Sequence, residues 1–327
     1  LHLLGSAAAA LGRHDTAETA LRRAVALKPD APEPLNNLAN VLRAQGRLAA
    51  AADHYAGALR LRPDYGEAMC NLGHVMVLQG RAAEAISVYA RALCNDATSA
   101  EAHNGLGRAI QALDRPGEAV DCFQRAVTLH PGYFEAWMNL GKAQLGAGCP
   151  DAAKSAFRSA ARQRERAFEP WLHLGRACER QGDLAGARDA YLAAAARAPE
   201  RAEPLCKLGA LLRREGDAAA AAAQFEAALA RDPDSAEALN DLGHLRLETG
   251  DRLEAEHLFR RATVAGPRLA EARYNLALAL DGDADRADDA IAALDEALDL
   301  RPAFPAALRK LGHLHVARKS FDGAADA

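Results

Sequence analysis

Residues 168–201 read FEPWLHLGRACERQGDLAGARDAYLAAAARAPER, and the fold is decided there. One block of helix-spaced apolar residues runs through Trp171 and Leu174-Gly175, and a second through Ala187, Tyr191 and Ala194. Two amphipathic helices follow from that spacing. Gly182 separates the blocks, where a helix end needs a residue tolerant of left-handed backbone angles. Pro199 cannot continue a helix, so it ends the pair and starts the next.

The same pattern recurs along the chain every 34 residues. Leu-Gly falls at 72–73, 106–107, 140–141, 174–175, 208–209 and 242–243, and Pro29 maps onto Pro63 as Pro199 maps onto Pro233 and Pro267. Ala58, Ala92, Ala126, Ala160, Ala194, Ala228 and Ala262 form a third series. Gly46, Gly80, Gly148, Gly182, Gly216 and Gly250 mark the inter-helix turn. Small residues on both helices let the two backbones approach closely while leucines and aromatics fill the flanking space. An extra side chain at Gly141 is therefore expected to pry its hairpin apart.

Trp171, Leu174-Gly175, Ala187, Tyr191, Ala194 and Pro199 together resemble the signature of the tetratricopeptide repeat family. The resemblance extends over essentially the whole chain. It implies an all-α fold: an α-solenoid in which antiparallel helix-turn-helix hairpins stack into a right-handed superhelix, each repeat touching only its neighbours. Residues 1–327 then form a single array. A partial repeat spans 1–31, eight full repeats span 32–304 and begin near Pro32, Gly66, Ala100, Phe134, Phe168, Ala202, Ala236 and Ala270, and a partial repeat spans 305–327. Ala97 and Glu165 replace the terminal proline, Asp114 replaces the turn glycine, and one extra residue lies between Asp281 and Asp289. Neither end carries a polar capping helix, so the chain is expected to be part of something longer, with Phe321 and Ala324 exposed and available for self-association.

Composition narrows the function. Half the residues are hydrophobic but only 5% are aromatic, which favours close-packed helices over sheets. A net charge of -4, with no run of four basic residues, gives no attraction to phosphate backbones, and no stretch of 18 apolar residues exists to span a membrane. Six cysteines at 70, 94, 122, 149, 178 and 206 contain no C-x-x-C pair. Free thiols in a reducing, cytoplasmic setting are expected.

Chemistry-bearing patterns dissolve into the repeat. Tyr55, Tyr89, Phe123, Phe157, Tyr191, Phe225 and Phe259, seven of the chain's 14 Phe and Tyr, share one slot and read as core. Gly105-Leu106-Gly107 lacks the third glycine of a dinucleotide loop. His313 and His315 point in different directions on one helix, and His74, His244 and His313 belong to different units, so no metal site is expected. Glu33, Glu67, Glu101, Glu135, Glu169, Glu203, Glu237 and Glu271 recur where carboxylates complement a helix dipole. No catalytic group and no cofactor is expected.

The resemblance implies that the first helices line an inner, peptide-binding face. Asn37, Asn71, Asn139 and Asn275 share one slot there, and Asn36, Asn40, Asn104 and Asn240 lie close by. Asparagine both donates and accepts, so this ladder can grip an extended peptide backbone. A similar ladder lines the repeats of the O-linked N-acetylglucosamine transferases, although here Gly105, His173, Lys207 and Asp241 interrupt it. Four such side chains supply only about 4 kcal/mol, a millimolar affinity, so charge is needed as well. Lys142, Arg176, Arg180, Lys207, Arg213 and Arg214 offer it as a basic patch favouring an acidic segment. The carboxylate clamp of the chaperone-binding members is disfavoured, because the matching slots hold Asn36, Asn40, Asn71, Glu101 and Gly105. The sequence thus points to a scaffold for protein partners, with the recruiting arm of a larger glycosyltransferase-like enzyme and a self-assembling module as rivals.

Overall fold

A computed structural model describes residues 1–281 and 286–325, with side chains through Val316. Nineteen helices, and no strand, occur among the described residues. The chain divides into two compact units, Leu1–Glu165 and Arg166–Ala327. The division falls beside Glu165, one of the two positions that lack the terminal proline.

The first unit holds five hairpins: α1 (His2–Ala10) with α2 (His14–Leu27), α3 (Pro32–Ala44) with α4 (Leu48–Leu61), α5 (Gly66–Leu78) with α6 (Ala82–Asn95), α7 (Ala100–Gln111) with α8 (Pro116–Leu129), and α9 (Phe134–Gly146) with α10 (Pro150–Gln163). The second holds α11 (Glu169–Gln181) with α12 (Leu184–Arg197), α13 (Glu203–Arg214) with α14 (Ala218–Arg231), α15 (Ala236–Glu248) with α16 (Arg252–Ala265), α17 (Ala270–Leu280) with α18 (Ala287–Leu300), and then α19 (Pro305–Ala325). The first helices begin within one residue of the repeat starts read from the 34-residue period. Residues 282–285, in the 281–289 stretch expected to carry one extra residue, and the side chains of Phe321 and Ala324 lie outside the described residues.

A helix end is made the same way in each unit. Gly46, Gly80, Gly148, Gly182, Gly216 and Gly250 take φ values between +76° and +91°, the left-handed region where a Cβ is penalised. Asp114 keeps the geometry without the glycine, at φ +57°.

The core repeats as well. Tyr55, Phe123, Phe157, Tyr191, Phe225 and Phe259 are wholly buried, and Tyr89 nearly so. Burial of each ring contributes about 2 kcal/mol. Six of these rings lie over a glycine of the first helix, the slot that Ala39 fills in the Tyr55 hairpin: a Cβ on Gly141 would stand 2.5 Å from the Phe157 ring, and one on Gly175 2.3 Å from Tyr191. Those distances are too short for any carbon contact. The alanines at 58, 92, 126, 160, 194, 228 and 262 are buried too, and Ala92, Ala126 and Ala228 share core clusters with Ala102, Ala136 and Ala238 of the next first helix.

Gly141→Ala is therefore expected to destabilise α9 and α10 by about 2 kcal/mol, the usual cost of overpacking. Gly117→Ala, with open space around it, should instead add about 0.5 kcal/mol, and Asp114→Gly should relieve up to about 1 kcal/mol of left-handed strain. Amide hydrogen exchange, read hairpin by hairpin, checks all three; equal effects of the two alanines would contradict the packing account.

Candidate functional site

Within each unit the first helices of successive hairpins touch one another: α1 with α3, α3 with α5, α5 with α7 and α7 with α9, then α13 with α15 and α15 with α17. Second helices are not joined to that extent among the described residues. First helices therefore form the closer-spaced, inner row of each unit, and side chains on that row can reach from one hairpin to the next.

The asparagines do so in pairs. Asn71 Nδ2 donates to Asn36 Oδ1 at 3.3 Å, Asn139 to Asn104 at 3.0 Å and Asn275 to Asn240 at 2.9 Å. In the first unit the accepting member of each pair, Asn36 or Asn104, is buried, while Asn71 and Asn139 are partly exposed. Asn36 also donates to Glu67 at 2.8 Å and Asn104 to the Tyr133 hydroxyl at 3.2 Å. The other two amides are held as well: Asn40 Oδ1 accepts from the Tyr55 hydroxyl at 2.5 Å, and Asn37 Nδ2 donates to Ser6 at 3.0 Å and lies 2.7 Å from the His2 ring. All eight expected asparagines thus have intramolecular partners. Asn71 and Asn139 each spend one N–H on a buried neighbour, leaving a second N–H and the carbonyl oxygen to offer.

Charge is distributed differently in the two units. In the second, Arg176 pairs with Glu203 at 3.1 Å, Lys207 with Glu237, Arg213 with Glu248 at 2.9 Å and Arg214 with Glu179 at 2.6 Å. Four of the cations expected to form a basic patch are therefore neutralised by carboxylates on neighbouring first helices. Arg180 is exposed in the same unit. In the first unit Arg43 on α3, Arg108 on α7 and Lys142 on α9 have no ion pair among the described residues, and Lys142 is exposed. The Arg43 Nε is buried without a hydrogen-bond acceptor.

His74, on α5 between Arg43 and Arg108, registers that charge. Burial first, then the charges of Arg108 and Arg43, hold its pKa down at about 4. In the second unit burial and the nearby Glu237 push Asp241 up to about 6.

The glutamates at the first-helix starts do more than complement a dipole. Glu33 pairs with Arg62, Glu135 with Arg164 at 2.6 Å and Glu271 with Arg301, tying each first helix to the end of its own hairpin. Arg62, Arg164 and Arg301 also lie over Tyr65, Phe134 and Phe304 at 4.9, 4.2 and 4.7 Å. Glu101 has no such partner among the described residues. It lines a pocket of about 410 Å³ together with Tyr133, Phe134, His130 and the Glu135–Arg164 pair.

Family profiles described as tetratricopeptide repeat match residues 1–41, 30–93, 70–134, 104–148, 138–202, 212–280 and 281–327. The chain belongs to the tetratricopeptide repeat family. Among solved structures, this TPR chain is similar to yeast Tom70 (TM-score 0.56, 15% identity, covering 96% of this chain and 95% of that one). It is also similar to a tetratricopeptide repeat protein from Parabacteroides merdae (TM-score 0.58, 18% identity, 76% and 99%). A third, the APC/C hetero-tetramer Cut9-Hcn1, gives a TM-score of 0.55 at 19% identity over 91% of this chain. The TPR chain spans only 58% of the Cut9-Hcn1 chain it matches. Identities this low establish a shared fold. No curated protein matches the sequence.

Other chemistry is sparse on this TPR scaffold. Among the described residues no group of three or more His, Cys, Asp or Glu could hold a metal, and no helix is long and apolar enough to cross a membrane. All six cysteines are free thiols; burial pushes Cys70 and Cys206 up to about 12, so both stay protonated and unreactive near neutrality.

Of the residues singled out from sequence, the structure brings Asn36, Asn71, Asn104, Asn139 and Lys142 onto the inner row of the first unit, and Arg176, Arg180, Lys207, Asn240 and Asn275 onto that of the second. It adds Arg43 and Arg108, which sequence reading passed over. The slot series Asn40, His74, Arg108 and Lys142 held the signal for Arg108.

The two shifted groups predict opposite pH responses. His74 binds its proton more weakly when folded, so its stabilisation is complete above about pH 6.5 and is lost as pH falls toward 4. Asp241 binds its proton more tightly when folded, so its unit loses stability as pH rises from about 3.8 to 6. Hydrogen exchange in α5 and α15 between pH 4 and 6.5 should show these opposite slopes. His74→Gln should flatten the first and Asp241→Asn the second; slopes untouched by the substitutions would refute the assignment.

Proposed function

We propose that this TPR chain is a protein-interaction scaffold that holds an extended, acidic segment of a partner along the inner face of its first unit. The observation that carries the reading is the row of cations without carboxylate partners, Arg43, Arg108 and Lys142, alternating with the partly exposed amides Asn71 and Asn139. The amides suit a peptide backbone and the cations suit acidic side chains. Three charge-assisted bonds and two amide bonds contribute about 8 kcal/mol before the ordering of the segment is subtracted, which places binding in the micromolar range at best. The second unit is less suited to an acidic segment, because Arg176, Lys207, Arg213 and Arg214 would each have to leave an existing ion pair.

An array of acidic peptides is the direct test, with the full chain compared to Arg43→Ala/Arg108→Ala/Lys142→Ala and to Arg176→Ala/Arg180→Ala/Lys207→Ala. The first triple variant should lose at least tenfold in affinity, with a shallower dependence on salt; the second should bind nearly as the wild type does. Equal losses, or a loss confined to the second variant, would move the binding face away from the first unit. Circular dichroism melting confirms that both variants fold.

A further inference from the structure

Resting on that reading, we infer that the pocket beside Glu101 receives a cationic side chain, lysine or arginine, from the same partner segment. The pocket opens at the start of α7, between the α8–α9 turn and the end of α10, and has a volume of about 410 Å³. That is room for one long side chain. Its second carboxylate, Glu135, is already neutralised by Arg164, which in turn stacks on Phe134. Glu101 is left as the carboxylate in the lining without a hydrogen bond or an ion pair.

The rest of the lining fits a cation. Tyr133 accepts a hydrogen bond from Asn104, and His130 packs on its ring at 5.7 Å, so the phenol is held in place at the pocket wall. An aromatic face beside a carboxylate is the arrangement that recognises ammonium and guanidinium groups. Burial and the neighbouring Glu67 raise the Glu101 pKa, and Arg43 offsets this only in part. A bound cation would relieve that penalty, whereas a bound acid would deepen it.

The geometry also sets where the cation stands in the segment. Glu101 is at the start of α7 and Arg108 is seven residues further along the same helix, about 10 Å at 1.5 Å per residue. The acidic and basic edges of the inner face are thus separated by roughly the span between side chains on opposite faces of an extended chain. A segment running along the groove places alternate side chains toward opposite edges. The cation therefore belongs at odd spacing from the acidic residues.

Two probes test this on the full chain. N-acetyl-arginine methylamide, titrated into the 15N-labelled protein, should shift the amides of Glu101, Gly132 and Tyr133 saturably, while the neutral isostere N-acetyl-citrulline methylamide should not. Glu101→Gln, an isosteric change at a side chain with no hydrogen bond or ion pair to lose, should abolish the arginine response. In acidic 11-residue peptides, an arginine at odd spacing should tighten binding about fivefold over citrulline in the wild type and not in Glu101→Gln. An arginine response that survives Glu101→Gln, or that citrulline reproduces, would overturn the pocket assignment. A saturable arginine response in a protein that binds no acidic peptide would keep the pocket and overturn the acidic-segment reading instead; no arginine response with intact acidic binding would do the reverse.

Discussion

Everything in this chain depends on an aromatic ring lying where a side chain has been removed. Gly73, Gly107, Gly141, Gly175, Gly209 and Gly243 each receive a ring from the paired second helix, and any Cβ added there would stand between 2.3 and 2.8 Å from it. The missing carbon lets the two helices approach closely around the ring. Because that contact recurs every 34 residues, each hairpin has nearly the same thickness and presents nearly the same edge to the next. The first helices then lie close enough for side chains as short as asparagine to bond across hairpins, as Asn71 does to Asn36. A wider hairpin would separate those amides by more than a hydrogen bond.

That proximity sorts charge as well as amides. Where a first helix carries a cation and its neighbour a carboxylate at the right step, the two close on each other, as Arg176 and Glu203 or Arg214 and Glu179 do in the second unit. Exposed pairs of this kind contribute well under 1 kcal/mol each to stability. Their larger effect is on binding, since a ligand must compete with a partner already in place. In the first unit three of the four carboxylates at the helix starts are engaged elsewhere, Glu33 by Arg62, Glu135 by Arg164 and Glu67 by Asn36, and Glu101 pairs with no cation among the described residues. Arg43, Arg108 and Lys142 are left without a carboxylate partner among the described residues.

Much of the fold was legible because it is periodic. Helix starts, turn glycines and the buried aromatic slot each repeat often enough that one sequence serves as its own alignment, and Asp114 was recognisable as a substitute for glycine from its register alone. The site was legible only in outline. The asparagines share slots and could be placed, but whether an amide is free or bonded depends on the hairpin beside it. Likewise the choice of Arg176 and Lys207 as binding cations came from their slots, and the carboxylates that neutralise them sit 27 and 30 residues away, on the next first helix. Glu101 looked identical in sequence to its seven equivalents; arginine stands at the end of the hairpin only for Glu33, Glu135 and Glu271, and that Glu101 alone lines a pocket beside an engaged Glu135 depends on how the neighbouring hairpin packs.

The paired amides also change what an asparagine ladder means. An isolated surface asparagine must lose side-chain freedom to bind a peptide, a cost comparable to the hydrogen bond it gains. Asn139 has already met that cost, because its bond to buried Asn104 fixes its orientation before any ligand arrives, and Tyr133 fixes Asn104 in turn. On the proposed reading, the buried member of each pair would contribute to binding without touching the ligand. The same chain of contacts joins the amide row to the Glu101 pocket through the Tyr133 ring. On the proposed reading, an extended segment held by Asn139 would be positioned relative to that pocket by two hydrogen bonds and one aromatic side chain, all within hairpins of a single unit.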